Sequence, residues 1–247
     1  MHMKHTRHIP VVGTFNIRDL GGYTGLDGET QWRRVLRADG LHRLDAEGMA
    51  LLVDEGVTTV IDLRHDRELE SQPDPFHAHP AVTYHNVSLF EALIPEPGEK
   101  GDVLYDLYIK ALNHRPVEIV RVLTMIAEAP EGIVLFHCTA GKDRTGIIAA
   151  LLLALAGVNA DIIVEDYALT GPMIAPMIDD ILAHAALHGT DLESFRPLLA
   201  ADPHTMADTI TYIDQHYGSA ADYLAKNGLS AATAALLRRR LMHGDLS

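Results

Sequence analysis

A short apolar run, a polar loop and a longer apolar run follow one another between residues 133 and 157, and this order constrains the fold most. The letters "IVLF" predict a buried strand that ends at His137, and "RTGIIAALLLALAG" predicts a buried helix that starts near Arg144. Residues 138 to 143 must then form a tight strand-to-helix loop. This pattern is typical of a βα unit in an α/β fold.

Such a loop can bind an anion. The first turn of a helix leaves backbone N–H groups unpaired, and the helix dipole adds partial positive charge there. Gly141 permits a positive φ in the turn, and Gly146 permits close packing of the helix. The anion-binding residues expected from this loop are Thr139, Ala140, Gly141, Lys142, Arg144 and Thr145.

Cys138, the single cysteine of the chain, lies at the mouth of this loop. The amides together with Lys142 and Arg144 favour thiolate over thiol, which makes Cys138 a candidate nucleophile at neutral pH. Arg144 can hold two phosphate oxygens with its planar fork, and Thr145 can donate its hydroxyl to the sulfur. A lone cysteine at a strand end is more often a small buried hydrophobe. Two glycines and two cations around it favour attack on a bound phosphoryl group instead.

The rest of the chain predicts a central, largely parallel sheet flanked by helices, followed by a helical C-terminal half. The predicted strands cover residues 34–38, 57–63, 82–89 and 133–138. The predicted helices cover residues 45–56, 115–130, 144–156, 159–169, 173–187, 205–217, 219–226 and 230–242. Residues 90–102, with two prolines and two glycines, are expected to form a long loop that walls or covers a site. We expect a single domain over residues 1–247, with residues 1–10 as a flexible tail.

Charge and hydropathy exclude several classes of protein. A formal net charge of −14 argues against a nucleic-acid partner, whose phosphates need clustered Lys and Arg. The longest apolar run, residues 147–156, is shorter than the roughly 18 to 20 residues that span a bilayer, so no stable membrane insertion is expected. One cysteine forms no internal disulfide, and no signal segment is visible. The expected location is the cytoplasm.

The stretch "HCTAGKDRTG" resembles the Cys-x5-Arg phosphate loop of the protein tyrosine phosphatase superfamily. Its lysine and aspartate resemble the bacterial tyrosine/serine protein phosphatase family of the mycobacterial PtpB-like type. "GTFNIRDLGGY" at residues 13–23 resembles the N-terminal signature of that family, and residues 36–68 and 217–241 resemble its next segment and its ending. The resemblance thus covers nearly the whole chain.

The resemblance implies a phosphotyrosine protein phosphatase-like fold and a two-step reaction through a phosphocysteine at Cys138. It implies no metal and no cofactor, with His137 and Gly146 supporting the loop. The substrate class implied is a phosphorylated protein, carrying phosphotyrosine and also phosphoserine or phosphothreonine, and the product is inorganic phosphate. Asp62 and Arg64 are expected to be supports rather than catalysts.

The general acid departs from the pattern of eukaryotic tyrosine phosphatases, which use an aspartate on a Trp-Pro-Asp loop. The single tryptophan, Trp32, is followed by Arg33. The candidates are Asp143 inside the loop and Glu91 after the predicted strand 82–89, and we favour Asp143 because the sequence places it beside the nucleophile.

Three other functions remain open from the sequence. The first is a phosphatase for phosphoinositides or inositol phosphates, which the family also accepts and for which Lys142 could bind a second phosphate. The second is a catalytically silent phosphopeptide-binding module, which would not need the thiol. The third is a sulfur-transfer or arsenate-reducing enzyme, although arsenate reduction usually uses further thiols, which this chain lacks. Arg18 and Asp19 are expected to form an ion pair or to face the substrate.

Overall fold

The computed structural model describes residues 5–90, 102–187 and 189–242. A five-stranded sheet forms its centre, and a short two-stranded hairpin lies beside it. The strands are β1 Arg18–Asp19, β2 Thr24–Gly25, β3 Gly28–Glu29, β4 Val35–Ala38, β5 Val57–Asp62, β6 Thr83–Asn86 and β7 Ile133–His137.

Strand β7 occupies the middle of the sheet, whose order is β1-β4-β7-β5-β6. Both β4 and β5 pair with β7 in parallel, β6 pairs with β5 in parallel, and β1 pairs with β4 in antiparallel fashion at the edge. His137 lies opposite Ala38 on one side and Asp62 on the other. The carboxyl ends of three neighbouring strands therefore meet where the 138–143 loop begins, which is the edge where open α/β sheets bind ligands.

Helices cover both faces of this sheet. Their ranges are α1 Ala46–Asp54, α2 Asp66–Ser71, α3 Val103–His114, α4 Pro116–Glu128, α5 Asp143–Leu155, α6 Ala160–Ala168, α7 Thr170–Ile174, α8 Ile178–Leu187, α9 Leu192–Phe195, α10 Pro203–Tyr217, α11 Ala220–Lys226 and α12 Ala231–Leu241. Among the described residues, no helix is long and apolar enough to cross a bilayer.

Two apolar cores form because side chains alternate along each strand. Ile133 and Leu135 of β7 belong to the core that includes α1, whereas Val134 and Phe136 belong to the core beneath α3, α4 and α5. Helix α5 is buried on nearly all sides, between the sheet and the helices α4, α6 and α11. An all-round apolar helix is stable only in such a position.

Most helices begin at a side chain that accepts a hydrogen bond from the first turn, as Asp45 does for α1 and Asp102 for α3. Helix α5 is different. Lys142 stands at its N-cap position, and among the described residues no side chain caps its first turn. The N–H groups of this turn therefore remain available to a ligand.

The predicted fold class, a largely parallel sheet flanked by helices, is confirmed, but several elements differ from the sequence-based prediction. The predicted strand 82–89 is only four residues long. The predicted helix 173–187 is divided into α7, a 3-10 turn at Ala175–Met177 and α8, because Pro176 has no N–H to continue the helix. Helices α2 and α3 were not predicted. Of the loop predicted at 90–102, residues 91–101 lie outside the described part of the chain.

Leu152 tests the buried position of α5. Its side chain is fully buried, whereas Leu187 at the end of α8 is 84% exposed. We expect Leu152→Ala to lower the free energy of unfolding by about 2–5 kcal/mol, because it removes buried methyl groups and leaves a cavity. Leu187→Ala should change it by less than about 0.5 kcal/mol. Urea unfolding followed by circular dichroism measures both, and equal losses would contradict this packing.

Candidate active site

The 138–143 loop runs from the carboxyl end of β7 to the first residue of α5. Cys138 is 2% exposed and carries a free thiol. Gly141 has a φ of 66°, and a Cβ there would lie 2.5 Å from the carbonyl oxygen of Ala38. Only glycine fits at this position, because β4 passes directly beneath the turn.

The carbonyl groups of this loop point outward and are bound by other parts of the chain. The hydrogen bonds run from Gly40 N to Thr139 O (2.9 Å), from Asn16 Nδ2 to Ala140 O (2.9 Å) and from Arg37 Nη2 to Gly141 O (2.8 Å). In a trans peptide the C=O of one residue points opposite to the N–H of the next. The amides of residues 140 to 142 therefore point into the loop, and no described residue accepts a hydrogen bond from them.

Arg144 lies in the first turn of α5, and Glu68 of α2 holds it. Nη1 donates to Oε2 of Glu68 at 2.6 Å, and Nη2 donates to Oε1 at 2.8 Å. Nη2 also donates to Thr139 Oγ1 at 3.2 Å, and the Thr139 hydroxyl donates to Glu68. The guanidinium carbon lies 5.8 Å from the centre of the Phe90 ring, a cation–π distance. These contacts fix the direction of the guanidinium plane.

Glu68 is held by its own helix as well. It is the third residue of α2, and its Oε2 accepts from the backbone N–H of His65 at 2.9 Å in a capping box. Burial opposes the carboxylate, but the hydrogen bonds and charge of Arg144 outweigh it and lower the pKa of Glu68 to about 2. Burial likewise opposes the Arg144 cation, while the hydrogen bonds and charge of Glu68, and after them the electrostatic interactions with Cys138 and Asp143, raise the pKa of Arg144 above its ordinary value.

Asp143 bonds to a different set of residues from those of the Glu68–Arg144 clamp. Its Oδ1 accepts from Lys142 Nζ at 2.7 Å and from the Tyr108 hydroxyl at 2.7 Å. The Tyr108 and Tyr167 hydroxyls are 2.8 Å apart. Burial and the charge of Asp143 raise the pKa of Tyr108 well above its ordinary value, so Tyr108 remains a neutral donor. Lys142 is 1% exposed, and its cation is directed at Asp143.

His137 is fully buried behind the loop, between two carboxylates. Its Nε2 lies 3.1 Å from Asp74 Oδ2 and 3.5 Å from Asp62 Oδ2, and its Nδ1 lies 3.3 Å from the carbonyl oxygen of Cys138. The Nε2–Asp74 contact does not meet hydrogen-bond geometry, and it is an ion pair when His137 is protonated. Burial opposes the charged ring, but Asp62 and Asp74 outweigh burial and raise the pKa of His137.

The donor atoms of Asp62, Asp74 and His137 all lie within 4.8 Å of one another, which is close enough to hold a metal ion. Arg64 already supplies a cation there. Its Nη2 is 2.7 Å from Asp62 Oδ2 and 3.8 Å from Asp74 Oδ2. Arg64 offsets one of the two carboxylate charges and already donates to Asp62, so the donor set fits a further divalent cation poorly.

The remaining residues singled out from the sequence lie as follows. Thr145 Oγ1 is buried and has no hydrogen-bond partner among the described residues. A Cβ on Gly146 would lie 3.1 Å from the Tyr167 ring, so this glycine lets α5 and α6 pack closely. Glu91 lies outside the described part of the chain.

The expected pairing of Arg18 with Asp19 is wrong. Arg18 Nε pairs with Asp166 Oδ1 at 3.2 Å, and Asp19 Oδ2 pairs with Arg33 at 2.9 Å. The two side chains are adjacent on a strand, and adjacent side chains point to opposite faces.

Sequence reasoning missed four residues that contact the loop or its partners: Asn16, Arg37, Glu68 and Asp166. A charged residue inside the apolar strand "VLRA" was a signal for Arg37, since a buried charge needs a partner. The capping-box spacing from His65 to Glu68 was a signal for α2.

Comparison with known proteins finds similar phosphatases. The triple specificity protein phosphatase PtpB of Mycobacterium tuberculosis is 30% identical over an alignment of 281 residues, covering 96% of this chain and 99% of that protein. A tyrosine-protein phosphatase of Nostoc commune is 33% identical over 217 residues, covering 83% of this chain and 73% of that protein. The crystal structure of P. aeruginosa TpbA shares 22% identity over 67% of this chain and 85% of that chain, with a TM-score of 0.38.

A family model described as "Tyrosine phosphatase family" matches residues 9–243, which is nearly the whole chain. The resemblance seen in "HCTAGKDRTG" and in the N-terminal signature is thereby confirmed. The chain belongs to the tyrosine phosphatase family.

Proposed function

We propose that this chain hydrolyses phosphotyrosine in proteins, with Cys138 as nucleophile and the 138–143 loop as phosphate site. The observation that carries the proposal is the set of outward carbonyls, which turns the amides of residues 140 to 142 toward one point at the start of α5. Cys138 and Arg144 flank that point. Amides, a helix N-terminus and a guanidinium together suit the equatorial oxygens of a transferring phosphoryl group.

The reaction has two steps. In the first, the Cys138 thiolate attacks phosphorus, an S–P bond forms, and the P–O bond to the tyrosine breaks while Asp143 gives a proton to the leaving oxygen. In the second, water attacks phosphorus and gives a proton to Asp143, the S–P bond breaks, and inorganic phosphate leaves. Thr145, whose hydroxyl is buried without a described partner, supplies a donor for the sulfur as it leaves.

Glu68 acts in this proposal as a positioning residue for Arg144. A guanidinium has five N–H donors, of which Glu68 takes two and Thr139 takes one. The remaining N–H groups, on Nε and Nη1, lie on opposite edges of the guanidinium plane, so one of them at a time can face a bound phosphate. A carboxylate that fixes the guanidinium before substrate arrives reduces the entropy lost on binding.

Phosphoinositides are the second substrate class, and the position of Lys142 bears on them. Lys142 is 1% exposed and its Nζ is bonded to Asp143, so it does not present its charge to a second phosphate. We therefore rank phosphotyrosine first. Phosphoserine, phosphothreonine and phosphoinositides are the other substrates to be tested in the same assay.

The cytoplasm is our proposed location, because a lone catalytic thiol works best where thiols stay reduced.

Cys138→Ser tests the nucleophile. A serine hydroxyl is not ionised at neutral pH, whereas the amides and Arg144 stay in place. We expect turnover of p-nitrophenyl phosphate and of a phosphotyrosyl peptide to fall by at least about 10³-fold, while tungstate, a tetrahedral oxyanion, still binds in calorimetry. Substantial residual turnover in a clean preparation would remove Cys138 from this role. Loss of tungstate binding as well would point to a collapsed loop.

Asp143→Asn and Glu91→Gln separate the two candidate acids. Each keeps the side chain's size but cannot deliver a proton. If Asp143 is the acid, Asp143→Asn loses the high-pH limb of the kcat profile and slows most on alkyl phosphates, since p-nitrophenolate leaves without help. Glu91→Gln should then change KM more than kcat. A flattened profile in Glu91→Gln alone would move the acid to Glu91.

Glu68→Gln tests the clamp on Arg144 through its pH dependence. The pKa of Glu68 is lowered from 4.5 to about 2, so the clamp stabilises the fold above about pH 4.5 and this contribution is lost as pH falls through 2. We expect the variant to be less stable by about 1–3 kcal/mol at pH 7, with the difference shrinking below pH 4.5. Its kcat/KM should fall about tenfold or more as Arg144 loses its orientation.

The matched control is Glu131→Gln, because Glu131 pairs with Arg34 at the surface and its side chain is 95% exposed. Surface pairs of this kind contribute at most about 1 kcal/mol. Urea unfolding at pH 7, 5 and 3.5 measures both variants. A Glu68→Gln difference that stays constant from pH 7 to 3.5, or that matches Glu131→Gln, would contradict the clamp.

A further inference from the structure

We propose that Asn16 and Arg37 are positioning residues for oxyanion binding, because they hold the outer carbonyls of Ala140 and Gly141 and so aim the amides on the inner side. This inference rests on the proposed role of the 138–143 loop as the phosphate site. Asn16 Nδ2 donates to Ala140 O at 2.9 Å, and Arg37 Nη2 donates to Gly141 O at 2.8 Å. Neither side chain lies where it could touch a bound phosphate through these atoms.

Both side chains are locked in place by burial and by their own partners. Asn16 is fully buried and Arg37 is 1% exposed. The backbone N–H of Asn16 donates to Asp39 Oδ1 at 2.9 Å, and its Oδ1 accepts from the Arg18 guanidinium. Asn16 Nδ2 and Arg37 Nη2 are thereby directed at the loop carbonyls, while Arg37 Nη1 donates to Asp166 and its buried Nε has no hydrogen-bond partner among the described residues.

Asp166 of α6 connects the two arginines. Its carboxylate accepts from Arg37 Nη1 at 2.6 Å, from Arg18 Nε at 3.2 Å and from the Tyr23 hydroxyl at 2.8 Å. Burial opposes the carboxylate, but the two arginines outweigh it and lower the pKa of Asp166 below its ordinary value. The N-terminal signature, β4 and α6 thus meet behind one turn of the loop.

The charges in this group do not cancel. Arg18, Arg37 and Asp166 are each at most 1% exposed, and two guanidiniums face one carboxylate. Burial and Arg37 lower the pKa of Arg18 to about 10, so Arg18 stays charged at neutral pH. One positive charge in excess therefore lies on the outer side of the loop. A bound phosphate dianion on the inner side would be stabilised by that charge, since a buried field is weakly screened.

A peptide unit is rigid, so the direction of the outer carbonyl sets the direction of the next amide. The carbonyl of Ala140 belongs to the same peptide as the N–H of Gly141, and the carbonyl of Gly141 to that of Lys142. If an outer donor is lost, the peptide can rotate and the inner N–H leaves the angle above 150° that a strong hydrogen bond prefers. Loss of the outer donor therefore lowers the affinity for an anion as well as the stability of the fold.

Asn16→Asp keeps the shape of the side chain, but its negative charge also offsets the excess positive charge behind the loop. Its result is therefore read together with that of Arg37→Lys, which keeps the charge. The acceptor for Arg18 remains, whereas the donor to Ala140 becomes an oxygen that faces a carbonyl oxygen. We expect tungstate affinity by calorimetry and kcat/KM on p-nitrophenyl phosphate to fall about tenfold each, less than the 10²–10³-fold typical of an oxyanion donor removed outright. Arg37→Lys, which cannot reach Asp166 and Gly141 together, should act in the same direction.

Tyr223→Phe is the matched control. The Tyr223 hydroxyl is a buried donor to the carbonyl of Leu112 at 2.7 Å, so its removal also leaves a buried carbonyl without that partner, but away from the loop. It should lose stability in urea unfolding and bind tungstate like the wild type. The proposal is overturned if folded Asn16→Asp and Arg37→Lys bind tungstate within about twofold of the wild type, or if Tyr223→Phe loses the same affinity.

The wild type separates this inference from the proposed function. A wild type that neither binds tungstate nor hydrolyses p-nitrophenyl phosphate would remove the phosphate site itself. A wild type that does both, with an Asn16→Asp variant unchanged in both, would remove the positioning role alone. If Asn16→Asp fails to fold, Arg37→Lys decides the question by the same two measurements.

Discussion

A buried carbonyl must have a donor, and this requirement organises the structure around the 138–143 loop. The loop can turn its amides inward only if its carbonyls are satisfied outward. Asn16 and Ala140 are 124 residues apart in sequence, and Arg37 and Gly141 are 104 apart. The sheet order brings them together, because β7 lies beside β4 and β4 lies beside β1. The sheet order thus places the side-chain donors of Asn16 and Arg37 beside the loop carbonyls at one edge of the sheet.

Three separate groups of charged residues surround the loop, although the chain as a whole carries a net charge of −14. On one side Glu68 holds Arg144, and on another Asp62, Asp74, Arg64 and His137 form a buried group that balances when His137 is protonated. Behind the loop, Arg18 and Arg37 pair with the single carboxylate of Asp166, which leaves one positive charge in excess. An acidic protein can therefore attract an anionic substrate locally, since short-range buried charges are screened less than surface ones.

The sequence predicted the strand, the loop and the helix α5 because their signal is local. An apolar run, a glycine turn and a second apolar run occupy 25 consecutive residues, 133 to 157. Helix α2 escaped because it is six residues long, has no buried residue and is stabilised by a capping box with histidine in the place of the usual serine or threonine. With α2 missed, Glu68 had no predicted position beside Arg144. The pairs that hold the outer carbonyls depend on strand order, which periodicity does not encode.

The ionised groups of the site keep one charge state over a wide range of pH. Glu68, with a pKa of about 2, and Arg144, with its pKa raised, remain an ion pair from acid to alkaline solution. Tyr108 remains a neutral donor to Asp143, because burial and that carboxylate raise its pKa. The Glu68–Arg144 pair is thus preorganised, and its charge does not vary near neutral pH. A pH dependence of catalysis between about 5 and 8 must then arise from groups other than this pair. These are the groups that exchange a proton with the substrate, the buried His137 behind the loop, whose pKa is raised, and the phosphate ester itself, whose second ionisation lies near pH 6.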